Sequence, residues 1–166
     1  MGIGIPMSSY KIPQIPFPLP MTHRTTWDGQ PISPEKPYGV TIVVYRRGAE
    51  GLEFLILHRT GQGEEGDWAW TPPSGARHPG EEVEACARRE LFEETGLERV
   101  PAWTDCGTED WWVFVAETLR EGKVILSVEH DRFAWVSPEV AVQKCHPEVV
   151  SLPLQKVLNH LTRRNE

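Results

Sequence analysis

The sequence predicts a mixed α/β domain, and three observations support this fold class. A β-branched run and a second, apolar run flank a short turn between glycines, within residues 38–59. A helical pattern follows at residues 82–95, after a Pro-Gly pair and before a glycine. Further β-rich runs and a helical tail complete the 166 residues, enough for one domain with a hydrophobic core. Because strands and helices alternate irregularly, we expect short antiparallel hairpins rather than a repeated array of parallel βαβ units.

The N-terminal region differs from the rest of the chain in composition. Residues 1–37 contain eight of the fifteen prolines. Proline fixes φ and lacks a backbone donor, so this arm should form neither a helix nor a central strand. It is either a flexible tail or an arm that packs on the domain or on a second subunit. The apolar residues available for such packing are Ile12, Ile15, Phe17 and Leu19. We therefore divide the chain into an arm, residues 1–37, and a domain, residues 38–166.

The domain begins with two neighbouring β-rich runs that predict a hairpin. Residues 38–47 are rich in β-branched side chains and predict a buried strand. Residues 52–59 predict its hairpin partner across the turn at Gly48–Gly51. A polar, glycine-rich loop follows. Prolines and glycine in residues 68–75 then exclude a long regular element.

The C-terminal half predicts three more strands and a helical tail. Residues 110–119 and 123–128 predict two strands joined by a turn, and residues 132–137 predict another. The tail predicts helix at residues 137–145 and again at residues 152–164.

One side of the helix predicted at residues 82–95 changes from apolar to acidic along its length. At about 100° per residue, this side carries first Val83, Cys86 and Ala87, and then Glu90, Glu93 and Glu94. Leu91 and Phe92 flank it and should anchor the helix to its neighbours. Crowded, partly buried carboxylates are costly unless paired. Protonation, an ion pair with Arg88 or Arg89, or a divalent cation would relieve that cost, whereas a solvated acidic face is the ordinary alternative.

The residues around these glutamates resemble the Nudix box, G-x5-E-x7-R-E-U-x-E-E-x-G-U, in which U is aliphatic. All nine constrained positions match: Gly75, Glu81, Arg89, Glu90, Leu91, Glu93, Glu94, Gly96 and Leu97. The resemblance implies the Nudix fold, an α/β/α sandwich around a mixed β-sheet, over the domain but not the arm. It also implies metal-dependent hydrolysis of a nucleoside diphosphate linked to another group.

The resemblance assigns roles to individual residues of the box. The catalytic metal, Mg²⁺ or Mn²⁺, would be held by Glu90, Glu93 and Glu94, together with the backbone carbonyl of Ser74. The shape of the box would depend on Glu81 and Arg89, and its backbone geometry on Gly75 and Gly96.

Hydrolysis would require a water that attacks phosphorus and a carboxylate that takes the proton. Glu90 is one candidate base. Glu129, in a later loop, is either the base or an additional metal ligand. His130 could assist, although a loop histidine is ordinarily solvated.

Substrate contacts are predicted from one arginine and two tryptophans. Arg59 ends a predicted strand and would contact phosphate through its planar fork, with a surface ion pair as the alternative. Trp70 and Trp111 would stack on a nucleobase, although packing is the ordinary role of tryptophan.

Residues 129–142 are similar to segments of nucleoside triphosphate and dinucleoside polyphosphate hydrolases, which favours those substrates. The alternatives are an ADP-ribose or nucleotide-sugar hydrolase, and a nucleotide-binding regulator that keeps the fold without catalysis. The intact box favours an enzyme.

Charge, hydropathy and cysteine spacing limit the kinds of binding partner and the cellular location that we expect. The formal charge of −7 gives no indication of a nucleic-acid polymer as partner. No apolar run is long enough to span a membrane, and no signal-peptide pattern is present, so a cytoplasmic location is expected. Three cysteines without a CxxC pair argue against a disulfide framework and a zinc-thiolate site, and Cys86 should be a small core residue. A homodimer is compatible with the resemblance.

Overall fold

The computed structural model describes residues 25, 26 and 28–164, and it confirms the mixed α/β architecture. In chain order, the elements are β1 (Gly39–Gly48), β2 (Gly51–Arg59), β3 (Trp70–Thr71), β4 (Ser74–Ala76), α1 (Val83–Thr95), β5 (Ala102–Thr104), β6 (Trp111–Glu117), β7 (His130–Val136), α2 (Pro138–Lys144) and α3 (Glu148–Arg164). The predicted hairpin corresponds to β1 and β2, and the predicted acidic helix to α1. The short strands β3, β4 and β5 were not predicted, because two or three residues are too few to show a periodic pattern.

Strand β1 is the centre of a mixed sheet. The main strand order is β3-β2-β1-β6-β5, and β4 and β7 also pair with β1 and β2 respectively. β1 runs antiparallel to β2 and parallel to β6. Val40, Ile42, Val43 and Val44 are all fully buried, so β1 is covered on both faces. This explains why its sequence is a continuous apolar run rather than an alternating one.

Helices cover both faces of the sheet and divide the core into two clusters. On one face, Cys86, Ala87 and Leu91 of α1 pack with apolar residues of β1, β2 and β6. On the other face, residues of α2 and α3, including Leu154 and Val157, pack with the remaining sheet residues. This arrangement confirms the predicted α/β/α sandwich.

The prediction of a strand at residues 123–128 is wrong. Residues 122–127 have no regular secondary structure. Both edges of β6 are already paired, with β1 on one side and β5 on the other, so β6 offers no edge to a hairpin partner. The segment instead passes the end of α1, where the N–H of Ile125 donates to the carbonyl of Thr95 over 2.8 Å.

Helix α1 ends as the sequence predicts, but only one of the two residues expected to anchor it is buried. Gly96 has φ = 73° and its N–H donates to the carbonyl of Phe92, a C-terminal stop that favours glycine. Leu91 is fully buried and anchors the helix. Phe92 is 51% exposed, because the next position lies about 100° further round the helix and faces solvent.

The C-terminal helices follow the predicted pattern, with α3 beginning earlier than predicted. The Ser137 hydroxyl accepts from the N–H of Val140 at the start of α2. All three cysteines are free and buried, including Cys86 in the core beneath α1. Among the helices of the described residues, none combines the length and apolarity needed to cross a bilayer.

The last part of the proline-rich arm packs on the domain. Ile32 is buried with Tyr38 and Ala76. The Arg77 guanidinium donates to the backbone carbonyls of Pro37, at 2.9 Å, and of Glu35, at 2.8 Å. The apolar residues proposed above for packing, Ile12, Ile15, Phe17 and Leu19, lie outside the described residues.

Candidate active site

A cavity of about 760 Å³ lies beside the C-terminal half of α1. Its lining includes the residues predicted for the reaction centre: Arg59, Ser74, Gly75, Glu90, Glu93, Glu94 and Glu129. These residues come from β2, β4, α1 and the loop before β7. The fold therefore brings all four candidate catalytic glutamates to one concave surface.

Glu94 is the most deeply buried carboxylate of this surface. It is 6% exposed, and its Oε2 accepts from the backbone N–H of Ser74 over 2.9 Å. Burial raises the pKa of Glu94 well above its usual range, and repulsion from Glu90 and Glu129 adds to this effect. The Ser74 hydrogen bond fixes the carboxylate in the wall of the cavity.

Glu90 lies directly over Gly75. A Cβ at position 75 would overlap the Glu90 carboxylate, so glycine is needed there to give that carboxylate room. Burial raises the pKa of Glu90 to about 8 against the attraction of Arg89, and the neighbouring Glu93 contributes to the rise. Glu93 is more exposed than Glu90, with 55% of its side chain accessible, and forms a longer ion pair with Arg89, 3.3 Å between Nη1 and Oε2.

The end of the loop before β7 carries Glu129, and the first residue of β7 is His130, so both side chains lie near Glu94. One ligand atom from each of these three side chains lies within 4.8 Å of the others. The loop is held by Thr60, whose N–H donates to the carbonyl of Glu129 and whose hydroxyl donates to the carbonyl of Val128, each over 2.9 Å. His130 is buried rather than solvated, contrary to expectation. Burial lowers its pKa to about 3, and the Arg59 cation adds to this effect, so the imidazole is neutral near pH 7.

Arg59 supplies a buried positive charge to the same cavity. The residue is 9% exposed, and its Nε and Nη1 atoms have no hydrogen-bond partner among the described residues. Burial lowers the pKa of Arg59, whereas attraction by Glu94 and Glu129 opposes this shift. Unsatisfied donors on a cation in a cavity are suited to bind an anion with several oxygens.

The donor set of the glutamate cluster fits a hard divalent cation. All of its charged donors are carboxylate oxygens, which Mg²⁺ and Mn²⁺ prefer over nitrogen and sulfur. Burial first, and repulsion between neighbouring carboxylates second, raise the pKa values of Glu90 and Glu94 and so disfavour their ionised forms. A divalent cation held among Glu90, Glu93, Glu94 and Glu129 would stabilise the ionised carboxylates.

Besides its longer ion pair with Glu93, the Arg89 guanidinium joins several parts of the box. Its Nε and Nη2 atoms donate to the two carboxylate oxygens of Glu81, at 2.8 and 3.0 Å. Nη2 also donates to the carbonyl of Ala76 at 3.0 Å, and Nη1 donates to Glu90 at 2.8 Å. Glu81 in turn accepts from the N–H of His78. These contacts support the predicted structural role of Glu81 and Arg89.

Replacing this guanidinium should loosen the box. We expect Arg89→Lys to lower the free energy of unfolding by about 1–3 kcal/mol, because an ammonium cannot satisfy both oxygens of Glu81 together with a carbonyl. Urea titration at pH 7 measures the change. Arg88→Lys, at the exposed neighbouring position, is the matched control and should have little effect. Equal stabilities of the two variants would contradict the structural role of Arg89.

The two tryptophans predicted to contact substrate lie in different environments. Trp111 lines the cavity, and its Nε1 donates to the Thr41 hydroxyl over 2.9 Å. Trp70 is 4% exposed in the core, donates to the carbonyl of Glu64, and does not belong to the cavity wall. The structure therefore does not bring Trp70 to the site, because β3 turns it inward. Trp68 lines the cavity instead, with φ = 65°.

Comparison with known proteins agrees with this geometry. A family model described as NUDIX domain matches residues 35–155. An RNA pyrophosphohydrolase of Rhodopseudomonas palustris is 36% identical over 80 residues, which cover 47% of this chain and 44% of that protein. An asymmetrical bis(5'-nucleosyl)-tetraphosphatase of Mus musculus is 32% identical over 118 residues, covering 63% of this chain and 78% of that protein. The crystal structure of a C. elegans Ap4A hydrolase binary complex is similar at a TM-score of 0.61 and 28% identity, covering 75% of this chain and 97% of that chain.

Proposed function

Since this chain belongs to the Nudix hydrolase family, we propose that it hydrolyses dinucleoside polyphosphates in the presence of Mg²⁺ or Mn²⁺. Diadenosine tetraphosphate is the best-supported substrate, with cleavage into unequal products, ATP and AMP. The observation that carries the proposal is the joint presence of four glutamates and the buried, unsatisfied Arg59 in one cavity. The names of the mouse and C. elegans relatives favour this substrate class.

The cavity combines features that a polyphosphate substrate requires. Its volume of about 760 Å³ lies within the range of roughly 300–1,000 Å³ typical of ligand pockets. Arg59 would bind phosphate oxygens with donors that have no partner among the described residues. Trp111 and Trp68 offer aromatic surface in the same wall, on which an adenine could stack.

Glu90, Glu93, Glu94 and Glu129 would hold the divalent cation. When bound, the cation neutralises phosphate charge and makes a water more acidic. The water oxygen forms a new bond to phosphorus, the bridging P–O bond breaks, and its electron pair leaves with the other phosphate group. Glu129 or Glu90 would accept the proton from the water, and Arg59 would hold the phosphate chain in position.

A substrate screen tests the proposal. We expect diadenosine tetraphosphate with Mg²⁺ to yield equal amounts of ATP and AMP, separated by ion-exchange chromatography. In ¹⁸O-labelled water, one product should carry the label, which identifies the attacked phosphorus. Formation of ADP alone would contradict asymmetrical cleavage. If the protein turned over only nucleoside triphosphates, ADP-ribose or 5'-triphosphorylated RNA, the proposed substrate would be wrong. Turnover of the RNA alone would agree with the name of the R. palustris relative.

Arg59 can be tested separately from the substrate class. Arg59→Lys should lower kcat/KM by roughly 100-fold, equivalent to about 2.7 kcal/mol, because an ammonium cannot bind two phosphate oxygens as a planar fork. Arg47→Lys is the matched control, since Arg47 lies on the neighbouring strand with 60% of its side chain exposed. Equal kinetics for the two variants would exclude a phosphate contact by Arg59.

A further inference from the structure

A second set of side chains of metal-ligating types comes together on residues that do not belong to the glutamate cluster. Asp105 and Cys106 directly follow β5, and His160 lies in α3. One Asp105 carboxylate oxygen, the Cys106 sulfur and one His160 ring nitrogen all lie within 4.8 Å of one another. Sequence patterns argued against a zinc-thiolate site because no CxxC pair exists. The fold instead assembles three different ligand types from two distant segments.

The backbone that carries Asp105 and Cys106 is held firmly against β6. The Thr104 hydroxyl donates to the carbonyl of Val113 over 2.8 Å and accepts from the N–H of Cys106 over 3.2 Å. Gly107 approaches β6 so closely that a Cβ would lie 2.8 Å from the backbone nitrogen of Val113. Ligands on a rigid, supported backbone lose little freedom when they bind a metal.

The three side chains differ in exposure. The buried ligand atom is fixed by core packing, and the exposed one leaves the group accessible to a cation from solvent. Cys106 is 6% exposed and packs in the cluster that includes Val150 and Leu154 of α3. His160 is half-buried, and Asp105 is exposed. Within residues 25–26 and 28–164, neither a hydrogen bond nor an ion pair engages the thiol, the imidazole or the Asp105 carboxylate. All three are therefore available as ligands.

We propose that Asp105, Cys106 and His160 bind a thiophilic divalent cation, with Zn²⁺ as the best fit and water as the fourth ligand. Zinc bonds of about 2.0–2.3 Å place neighbouring ligand atoms roughly 3.5 Å apart, so small side-chain rotations complete the site. One thiolate and one carboxylate balance the charge of the cation, which suits a site at the edge of an apolar core. The oxygen-only glutamate cluster differs from it in chemistry and binds harder cations.

The proposed cation would connect the β5–β6 loop to α3. Both parts contribute to the wall of the large cavity, the loop through Cys106 and Gly107 and the helix through Pro153 and Lys156. Binding at this site would therefore fix the distance between two segments of the cavity wall. It would not supply a ligand to the glutamate cluster.

Cobalt spectroscopy on the full, metal-stripped protein distinguishes the two sites. Co²⁺ is titrated in excess Mg²⁺, which occupies oxygen ligands but competes poorly for a thiolate. We expect an intense thiolate-to-cobalt charge-transfer band at one equivalent of Co²⁺, and its loss when Zn²⁺ is added. Absence of this band in the unsubstituted protein would overturn the proposal.

Matched variants identify the ligands. Cys106→Ala should abolish the charge-transfer band, and His160→Gln should weaken Co²⁺ binding at least tenfold. Cys145→Ala and His146→Gln replace a buried thiol and an exposed imidazole elsewhere, and both should keep the band. Circular dichroism checks that each variant is folded. A band that survives in Cys106→Ala, or that disappears equally in Cys145→Ala, would refute the assignment.

Discussion

Glu94→Gln is expected to lower turnover of the substrate by about 10³-fold or more, equivalent to roughly 4 kcal/mol of transition-state stabilisation. The glutamine oxygen can still accept the hydrogen bond from the N–H of Ser74, so the fold should persist. What the variant lacks is the negative charge in the cavity wall that would bind a divalent cation. Steady-state kinetics over a range of Mg²⁺ concentrations measure the loss.

Glu84→Gln is the matched control for this experiment. Glu84 lies in the first turn of the same helix and is exposed, away from the cavity lining. Its replacement should leave turnover unchanged. If Glu94→Gln retained activity within about tenfold of the unsubstituted protein, Glu94 would be excluded as a metal ligand.

In the absence of divalent metal, the stability of the protein is expected to fall as pH rises from 6.5 to 8. In the unfolded chain Glu90 is ionised throughout this range, whereas in the folded protein burial raises its pKa to about 8. The folded state therefore binds more protons, and stability decreases by up to about 1.4 kcal/mol per pH unit for each such group, with half that slope at pH 8, which gives roughly 1.6 kcal/mol over the range. Glu94, with its raised pKa, adds to the decrease.

The lower limit of this pH range keeps an opposing effect small. The pKa of His130 is lowered to about 3 in the folded protein, so protonation of this histidine in the unfolded chain, where its pKa is 6.5, favours unfolding increasingly below about pH 7. Urea titrations in EDTA at four pH values from 6.5 to 8 measure the glutamate contribution. Glu90→Gln should reduce the slope, and saturating Mg²⁺ should abolish it, because a bound cation stabilises the ionised carboxylates. Stability that stayed constant or rose with pH in EDTA would contradict the burial of uncompensated carboxylates.

Local spacing predicted the part of the site that lies within one short segment. Helical periodicity places Glu90 and Glu94 on the same side of α1, whatever the rest of the fold does. The box pattern identified Gly75 as a required residue. The physical reason for the requirement comes from the structure, in which the Glu90 carboxylate occupies the space that a Cβ at position 75 would take. The position of Glu129 beside Glu94 depends on the path of the chain after β6. No local pattern in the sequence predicts that path, so Glu129 was predicted only through the family resemblance.

Predictions failed where the outcome depended on neighbours distant in sequence. Residues 123–128 have strand composition, but β6 has no unpaired edge to receive them. Trp70 and Trp68 lie two positions apart, and no local pattern shows which of them faces the cavity. Cys106 and His160 meet only because α3 packs across the sheet beside β5 and β6. None of these contacts leaves a periodic signal in the sequence.

The anchoring of Arg77 has a consequence for where this domain can be joined to other proteins. Its guanidinium is buried and donates to backbone carbonyls of residues 35–37, before the point at which the β-rich pattern begins. A fusion junction placed at residue 38 would remove these acceptors and leave the Nε and Nη2 donors of a buried guanidinium without them, while Nη1 keeps the carbonyl of Glu81 at 2.9 Å. Leaving buried donors unsatisfied costs roughly 1–3 kcal/mol in comparable cases. Junctions upstream of Thr25 preserve the acceptors and the packing of Ile32. For recombination or domain transplantation, the transferable unit therefore begins within the proline-rich arm.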